Sequence, residues 1–499
     1  MKKSFMAFFV SLFLFLFVGC GGGEEKSAPK EATKKVVVKI SADPDFLDPH
    51  KYVAAATGEI TFNIFEGLVK MDSKGEINPA LAESYKVSDD FLTYTFKIKK
   101  GILFQNGVEL TPELVKASYD RFLLTDFPTN LSTTEFKKLI KSVEVNGDEV
   151  VFTLKQVTGE GIAAFLDGIV YVDGEKIYGT GPYYLDEYVP GERVTLKKFD
   201  KYWNIANTGN VEEAEFRVIK DDQSGIMSFQ MGDVDIIHRL GAEYVGMIGD
   251  SGKIQEGEQN MVQLLALNND VAPLNDLRVR QAIHYAINKN EIIEGASLGR
   301  GAVTGGAVSP SVKSIYNRET EDLYKTNLEK SKELLKEAGY ENGLKLVLRA
   351  PANYRVHVDT AQIIKEQLIK VGIDVEIEEI EWGTWLSDVY KNRNYQMTVI
   401  GFEGKPSPYA TVDRYRTKDP RNMCNFSNKD YDKVLSQIPV EMDKEKQIAL
   451  YKEAQKILTE NVGAVFLQAP SYIVALNKKI DGYQIYPIYV LDLSCLVIK

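Results

Sequence analysis

The chain has 499 residues, 44% of them hydrophobic and 26% charged. That is the balance of a folded protein with room for two to four cores, and it excludes a disordered one. Its formal charge is −11, with no run of Lys or Arg after the first few residues, which excludes nucleic acid as a partner.

Lys2 and Lys3 precede an apolar stretch from Phe5 to Val18 that ends at Gly19-Cys20. The stretch is shorter than the ~20 residues of a membrane-spanning helix, and its positive start fits an export signal. A small residue directly before Cys resembles the lipobox of bacterial lipoproteins, in which residues 1–19 are removed and Cys20 carries lipid. Phe17 stands where Leu is usual in that pattern. Residues 20–35, rich in Gly and charge, cannot bury enough apolar surface to fold and read as a tether. Its reach is at most ~50 Å.

The body then alternates strand and helix signals. Val36–Ile40 is a β-branched run fit for a strand, and a helix is expected near Ala54–Val69. Tyr94–Lys99 alternates in strand fashion; Thr111-Pro112 opens a helix to Phe122, with Thr as N-cap and Pro at the first turn. Val143–Phe152 folds about Asn146-Gly147-Asp148 into a hairpin. Helical spacing recurs over Asp276–Ile287, over Asn327–Gly339 with Gly339 as the stop, and over Thr360–Val371, Tyr431–Ile438 and Lys444–Asn461. Strands are expected at Leu344–Leu348, Ile373–Ile380 and Gln396–Ile400. This rhythm predicts mixed α/β layers.

Chemistry-bearing motifs are scarce. None of His50, His238, His284 and His357 sits with a second His or Cys at ligand spacing, so no zinc site is expected, and His50 and His284 read as structural. Cys424 and Cys495 read as unpaired, with a disulfide between them as the alternative. Gly249-Asp250-Ser251-Gly252 resembles a serine-protease nucleophile loop, but no His context accompanies it and Ser251 reads as a turn residue. Adjacent carboxylates such as Glu378-Glu379 point to opposite faces of a strand. The chain therefore reads as no enzyme, with no cofactor and no metal; a secreted hydrolase is the rival class.

Several stretches, in order, resemble the family 5 extracellular solute-binding proteins, the peptide- and nickel-binding components of ABC importers. They are Leu47-Asp48-Pro49-His50, Phe65-Glu66-Gly67-Leu68-Val69, Pro79–Tyr85, Phe96–Gly107, Gly179–Tyr183, Asp200–Asn204 and Asn268–Ile287. Gln105-Asn106 stands where the family usually has His-Asp. The resemblance implies an α/β, two-lobed periplasmic-binding-protein-like clam-shell with an extra inserted domain, of the class II type. It further implies a discontinuous first domain (36–66, 177–267 and 472–499), an inserted domain (67–176) and a distal lobe (268–471). The stretch Gln156–Lys176 is short for the family, which trims the inserted domain.

Ligand in such a fold sits where the lobes close. The family's peptide binders show Gly-Trp, two residues, then an Asp that pairs with the peptide's amino group; the matching stretch here is Gly401-Phe402-Glu403-Gly404-Lys405. Phe402 keeps the aromatic wall and Lys405 reverses the charge. Either Glu403 or Asp413 replaces the Asp, or the ligand is anionic or a nickel chelate; alternatively Lys405 points to solvent. Tyr409 and Thr57, the latter in the loop Tyr52–Gly58, complete the ligand-binding candidates, with Trp382 and Trp385 read as pocket walls or as core. The expected partners are a peptide or small-molecule ligand, a permease and its ATPase as separate chains, and a membrane reached through lipid on Cys20. The expected form is a monomer in the cell envelope, outside the cytoplasm, with a surface receptor or adhesin on the same fold as the remaining alternative.

Overall fold

The computed structural model describes residues 34–52, 54–124, 136–204 and 209–499. The apolar leader, Cys20 and the tether up to Thr33 lie outside them. The described body is one compact unit from Lys34 to Lys499.

Its backbone is organised by a 12-stranded mixed sheet. The apolar run at Lys35–Ile40 lies inside this sheet, parallel to Glu213–Val218 on one side and Ile236–His238 on the other. Such a fully buried position suits its unbroken β-branched sequence. Tyr183–Val189 and Arg193–Lys198 extend the same edge by antiparallel pairing. At the other end Leu344–Pro351 runs parallel to Ile373–Ile380 and Met397–Glu403, and Met261–Leu267 joins antiparallel.

One strand unites the two halves. Val465–Asn477 is 13 residues long. Its first part pairs with Met261–Leu267 and Gly301–Val303, its last part with Ile236–His238 and Gly252–Glu258. The sheet is covered on both faces in each half. In one half of the sheet, Val36, Phe216 and Leu476 belong to one core and Ile226, Phe229 and Ala475 to another. In the other half, Leu265, Ile283 and Ile364 lie in one core and Leu264, Trp385 and Phe466 in the other.

A separate four-stranded antiparallel sheet holds Ala82–Val87, Thr93–Ile98, Glu149–Leu154 and Ile140–Asn146 in that order, with the helix Pro112–Leu124 packed on it. The hairpin turns at Gly147, whose φ of +64° suits the residue without a Cβ. Phe165 is fully buried at the centre of this layer, with the rings of Tyr94, Phe96, Phe136 and Phe152 4.6–5.2 Å away.

Caps fall where the sequence places them. Asp276 and Asn327 accept from the first-turn amides of their helices, and Gly339 ends the second in the left-handed region at φ +89°. The helix expected over Ala54–Val69 is corrected: it spans only Ala55–Thr61. Beyond Thr61 the chain continues in tight turns, and the Asn63 side chain donates to the Glu59 and Leu491 carbonyls and accepts from the Leu493 amide. Cys424 and Cys495 are free thiols. His284 stacks on Tyr324 in the core, and His50 bonds the Gly168 carbonyl and Arg121. Among the described residues no cluster of His, Cys, Asp and Glu is fit to hold a metal ion, and no helix is long and apolar enough to cross a membrane.

Candidate ligand cleft

The strand Met397–Glu403 carries its chain out of the distal core and into a cavity. Its end is fixed by Gly404, whose amide donates to the Asn260 carbonyl at 2.6 Å. A Cβ at that position would stand 2.0 Å from the Asn260 side chain, which would have to move to admit one. The helix Pro408–Asp413 then restarts the regular backbone, with Pro in its first turn. Phe402, Glu403 and Lys405 are thereby delivered to the cavity wall.

The cavity has two chambers. An inner one of about 200 Å³ lies within the distal lobe, lined among others by Phe402, Tyr390, Thr411, Arg414 and Tyr415. An outer one of about 290 Å³ is walled by Tyr52, Phe62 and Phe65 on one side, Glu160 and Asp167 on another, and Tyr489 on a third. Glu403 and Lys405 line both. Aromatic walls with a few convergent charges are the usual lining of a small-molecule site.

Segments far apart in sequence meet beside it. Ser407 donates its hydroxyl proton to the Gly159 carbonyl at 3.2 Å. The Tyr409 ring covers Gly159 so closely that a Cβ there would come within 2.0 Å of it. Tyr409 is itself held by the Leu435 carbonyl and by Arg416.

Charge in the cleft is unevenly paired. Asp413 is taken up by Arg416 and Arg421, at 2.7 and 2.6 Å, and Arg421 also grips Asp419. Arg239 pairs with the fully buried Glu59 and lies 3.4 Å over the Tyr489 ring. By contrast, no ion pair within the described residues reaches Glu403, Glu160, Asp167, Lys405 or Arg414. Burial pushes the Glu403 carboxyl up to about 7, against the pull of Arg239 and Lys405. It does the same for Glu160, also to about 7, against the pull of Arg421. Asp167 is pushed up to about 7 by burial alone. The Lys405 ammonium is lowered, first by burial and then by the nearby Arg414.

The candidates from sequence thus divide. Phe402, Glu403 and Lys405 line the cavity, and Lys405 is at once a wall residue and open to the cleft's solvent. Tyr409 stands at the meeting of segments beside the cavity rather than on its wall. Asp413 stands behind the wall, bound to its two arginines. Thr57 is fully buried and holds Asp45 with its hydroxyl. Trp385 is 1% exposed and donates its indole N–H to Thr398 at 2.9 Å, while Trp382 stacks on it at 5.1 Å. The two tryptophans belong to the distal core and not to the cavity, because the short helix carrying them turns its apolar face onto the strand Met397–Glu403. Sequence reading missed Glu160, Asp167 and Arg414. Only Arg414 left a signal, as the cation without its own acid in a stretch that provides Asp413 and Asp419 for Arg416 and Arg421.

Residues 76–422, more than half of the chain, match the model of the bacterial extracellular solute-binding proteins, family 5 Middle. A glutathione-binding protein, GsiB of Shigella flexneri serotype 5b, is 27% identical over 485 residues, covering 91% of this chain and 93% of its own. Among solved structures, the ABC transporter substrate-binding protein CtaP of Listeria monocytogenes superposes with a TM-score of 0.83 at 22% identity, covering 93% and 99% of the two chains. DppA of Helicobacter pylori, in complex with the peptide STSA, gives 0.77 at 24% identity, covering 93% and 98%.

Proposed function

The chain belongs to the bacterial extracellular solute-binding proteins of family 5, and on that premise we propose that the solute it delivers to an ABC permease is a short, peptide-like molecule with a free amino group. The observation that carries this reading is the set of carboxyls facing the cleft. Glu160, Asp167 and Glu403 are all pushed up to about 7 by burial, and none has an ion-pair partner among the described residues. A ligand ammonium entering between them replaces lost hydration with a direct opposite charge. The aromatic wall of Phe62, Phe65 and Phe402 takes apolar side chains without selecting among them. Glutathione and short peptides, the ligands named for the relatives, both fall in this class.

The family is one of solute-binding proteins rather than enzymes, and it works outside the cytoplasm. In the mechanism proposed here the solute bridges the lobes, its contacts with both favour the closed form, and the permease recognises that form. The contact of Gly159 with Ser407 and Tyr409 supports closure at this cleft. We assign the lobes to residues 36–66, 177–267 and 472–499 for the first, with 67–176 inserted in it, and 268–471 for the second. Lipid on Cys20 would tether a monomeric body to the membrane, and the permease and ATPase would be separate chains. The alternative is a nickel chelate that brings its own metal ligands, or another anionic small molecule.

Native mass spectrometry on residues 21–499, purified gently from cells grown in rich medium, tests the ligand class. A series of added peptide-like masses is the expected result. A single nickel-containing or non-peptide mass overturns it.

A further inference from the structure

The strand Met397–Glu403 pairs with Leu344–Pro351 only as far as Thr398. Beyond that point, just before Phe402 and Glu403 reach the cleft wall, the Gly401 amide donates to His357 Nε2 at 3.2 Å. His357 comes from the helix Arg355–Leu368 and is buried. Its ring lies where a side chain at 401 would point: a Cβ there would stand 3.4 Å from the ring's Cε1. Gly401 is opposite Gln263 on the neighbouring strand, and Gln263 is opposite Gln468 on Val465–Asn477. One row across three strands therefore holds an imidazole and two amides, and Gln263, Gln468 and the adjoining Thr360 are fully buried.

The partners dictate where the protons of this row lie. Burial holds the His357 pKa down, at about 4, so the ring is neutral at pH 7. A neutral imidazole has one N–H and one acceptor. Nε2 is the acceptor, because the Gly401 amide can only donate, and Nδ1 carries the proton. The Gln263 amide atom 2.8 Å from Nδ1 is then its oxygen, since its nitrogen there would set two donors against each other. Thr360 leads to the same orientation independently. Its hydroxyl proton goes to the Val356 carbonyl at 2.7 Å. The hydroxyl is thus left to accept from the Gln263 amide atom 3.2 Å away, which is the nitrogen. That nitrogen's other proton meets Gln468 at 2.8 Å, whose oxygen accepts it, and the Gln468 nitrogen donates to the Ser297 hydroxyl at 2.9 Å.

We propose that His357, as the Nδ1–H tautomer, is a positioning residue for the solute: it holds the end of Met397–Glu403 in the conformation that presents Phe402 and Glu403, and through Gln263 and Gln468 it ties that wall to the strand shared by the two halves of the sheet. This rests on the reading of the cleft as the ligand site and deepens it. Each link sets one buried donor on one acceptor, so breaking any of them strands a polar atom away from water. Flexing of Val465–Asn477 therefore carries the cleft wall with it.

The tautomer is tested on residues 21–499 labelled with 15N in the histidine rings. The chain has four histidines, and the His357 signals are those missing from His357→Gln. Two-bond nitrogen–proton correlations at pH 7 should show a protonated Nδ1 and a bare Nε2; a protonated Nε2 overturns the proposal. The positioning role is read in two variants. In His357→Leu, hydrogen exchange of the Gly401 amide should speed up roughly tenfold, and the affinity for a tripeptide retained by the wild type should fall by about as much, the worth of one buried hydrogen bond. His357→Gln puts a carboxamide oxygen near the place of Nε2 and should restore most of both. Exchange and affinity unchanged in His357→Leu, or lost equally in His357→Gln, overturn the role. Failure of His357→Leu to fold leaves the decision to the tautomer. Retention of no tripeptide by the wild type sinks the peptide reading alone, and Gly401 exchange then decides whether His357 holds the wall.

Discussion

Asp167→Asn removes a charge that the fold disfavours. The Asp167 carboxyl is pushed from 3.8 to about 7 by burial, with no nearby cation to oppose the shift. In the unfolded chain it ionises near the lower value, in the folded protein near the higher one. Between these pH values the folded state holds a proton that the unfolded state has released, so stability falls as pH rises from about 4 to about 7. A shift of about three units corresponds to about 4 kcal/mol at full effect. Because the residue is half-buried and faces the cleft, solvent reduces this to on the order of 2 kcal/mol. Asn resembles the protonated acid and does not titrate. Urea denaturation followed by tryptophan fluorescence, at fixed ionic strength from pH 4 to pH 8, reads the difference directly. The two proteins should be equally stable at pH 4 and should diverge above it, with the variant the more stable by pH 8. The remaining raised groups, Glu160 and Glu403, titrate in both proteins and cancel. Curves that stay parallel across the range would refute the reasoning.

Gly159→Ala places a methyl group where the Tyr409 ring lies; ligand affinity should fall at least tenfold with little change in the melting of the unliganded body, as measured by calorimetry and scanning fluorimetry. Phe165→Ala empties the centre of a five-ring cluster, and chemical denaturation should show a loss of about 3–5 kcal/mol. Trp385→Phe removes the indole donor to Thr398 and should destabilise by about 1–2 kcal/mol while leaving ligand affinity unchanged. A selective loss of affinity instead would return that residue to the cavity wall.

Much of the local structure is legible from residue pattern alone. Tyr94–Lys99 alternates because one face of its sheet is buried, and Asp276, Asn327 and Gly339 mark helix ends through hydrogen bonds and backbone freedom that act within a few residues. What pattern does not carry is the meeting of distant segments. Nothing in Val465–Asn477 announces that its two ends serve different lobes, and nothing near Thr57 shows that its hydroxyl is taken by Asp45. Trp382 and Trp385 follow a strand in a way that suits either core or cavity, and the face their short helix turns inward decides between them. Position 405 is readable from family resemblance, because one charge changes sign against a known pattern. The unpartnered Nε of Arg414 is not, because partners are fixed only once the acids around it are placed.

The strand Val465–Asn477 also sets an order of events during synthesis. Every strand it joins, Ile236–His238, Gly252–Glu258, Met261–Leu267 and Gly301–Val303, leaves the ribosome earlier. Until it arrives, the sheet of each lobe has an open edge where this strand belongs. A nascent chain is therefore barred from completing either lobe before nearly all of it has been made. The four-stranded sheet Ala82–Val87, Thr93–Ile98, Glu149–Leu154 and Ile140–Asn146, with a core of its own, does not contain that strand and is free of the delay. The same arrangement makes the closing of both lobes a single late step, so neither half can be expressed as a finished piece without the last strand.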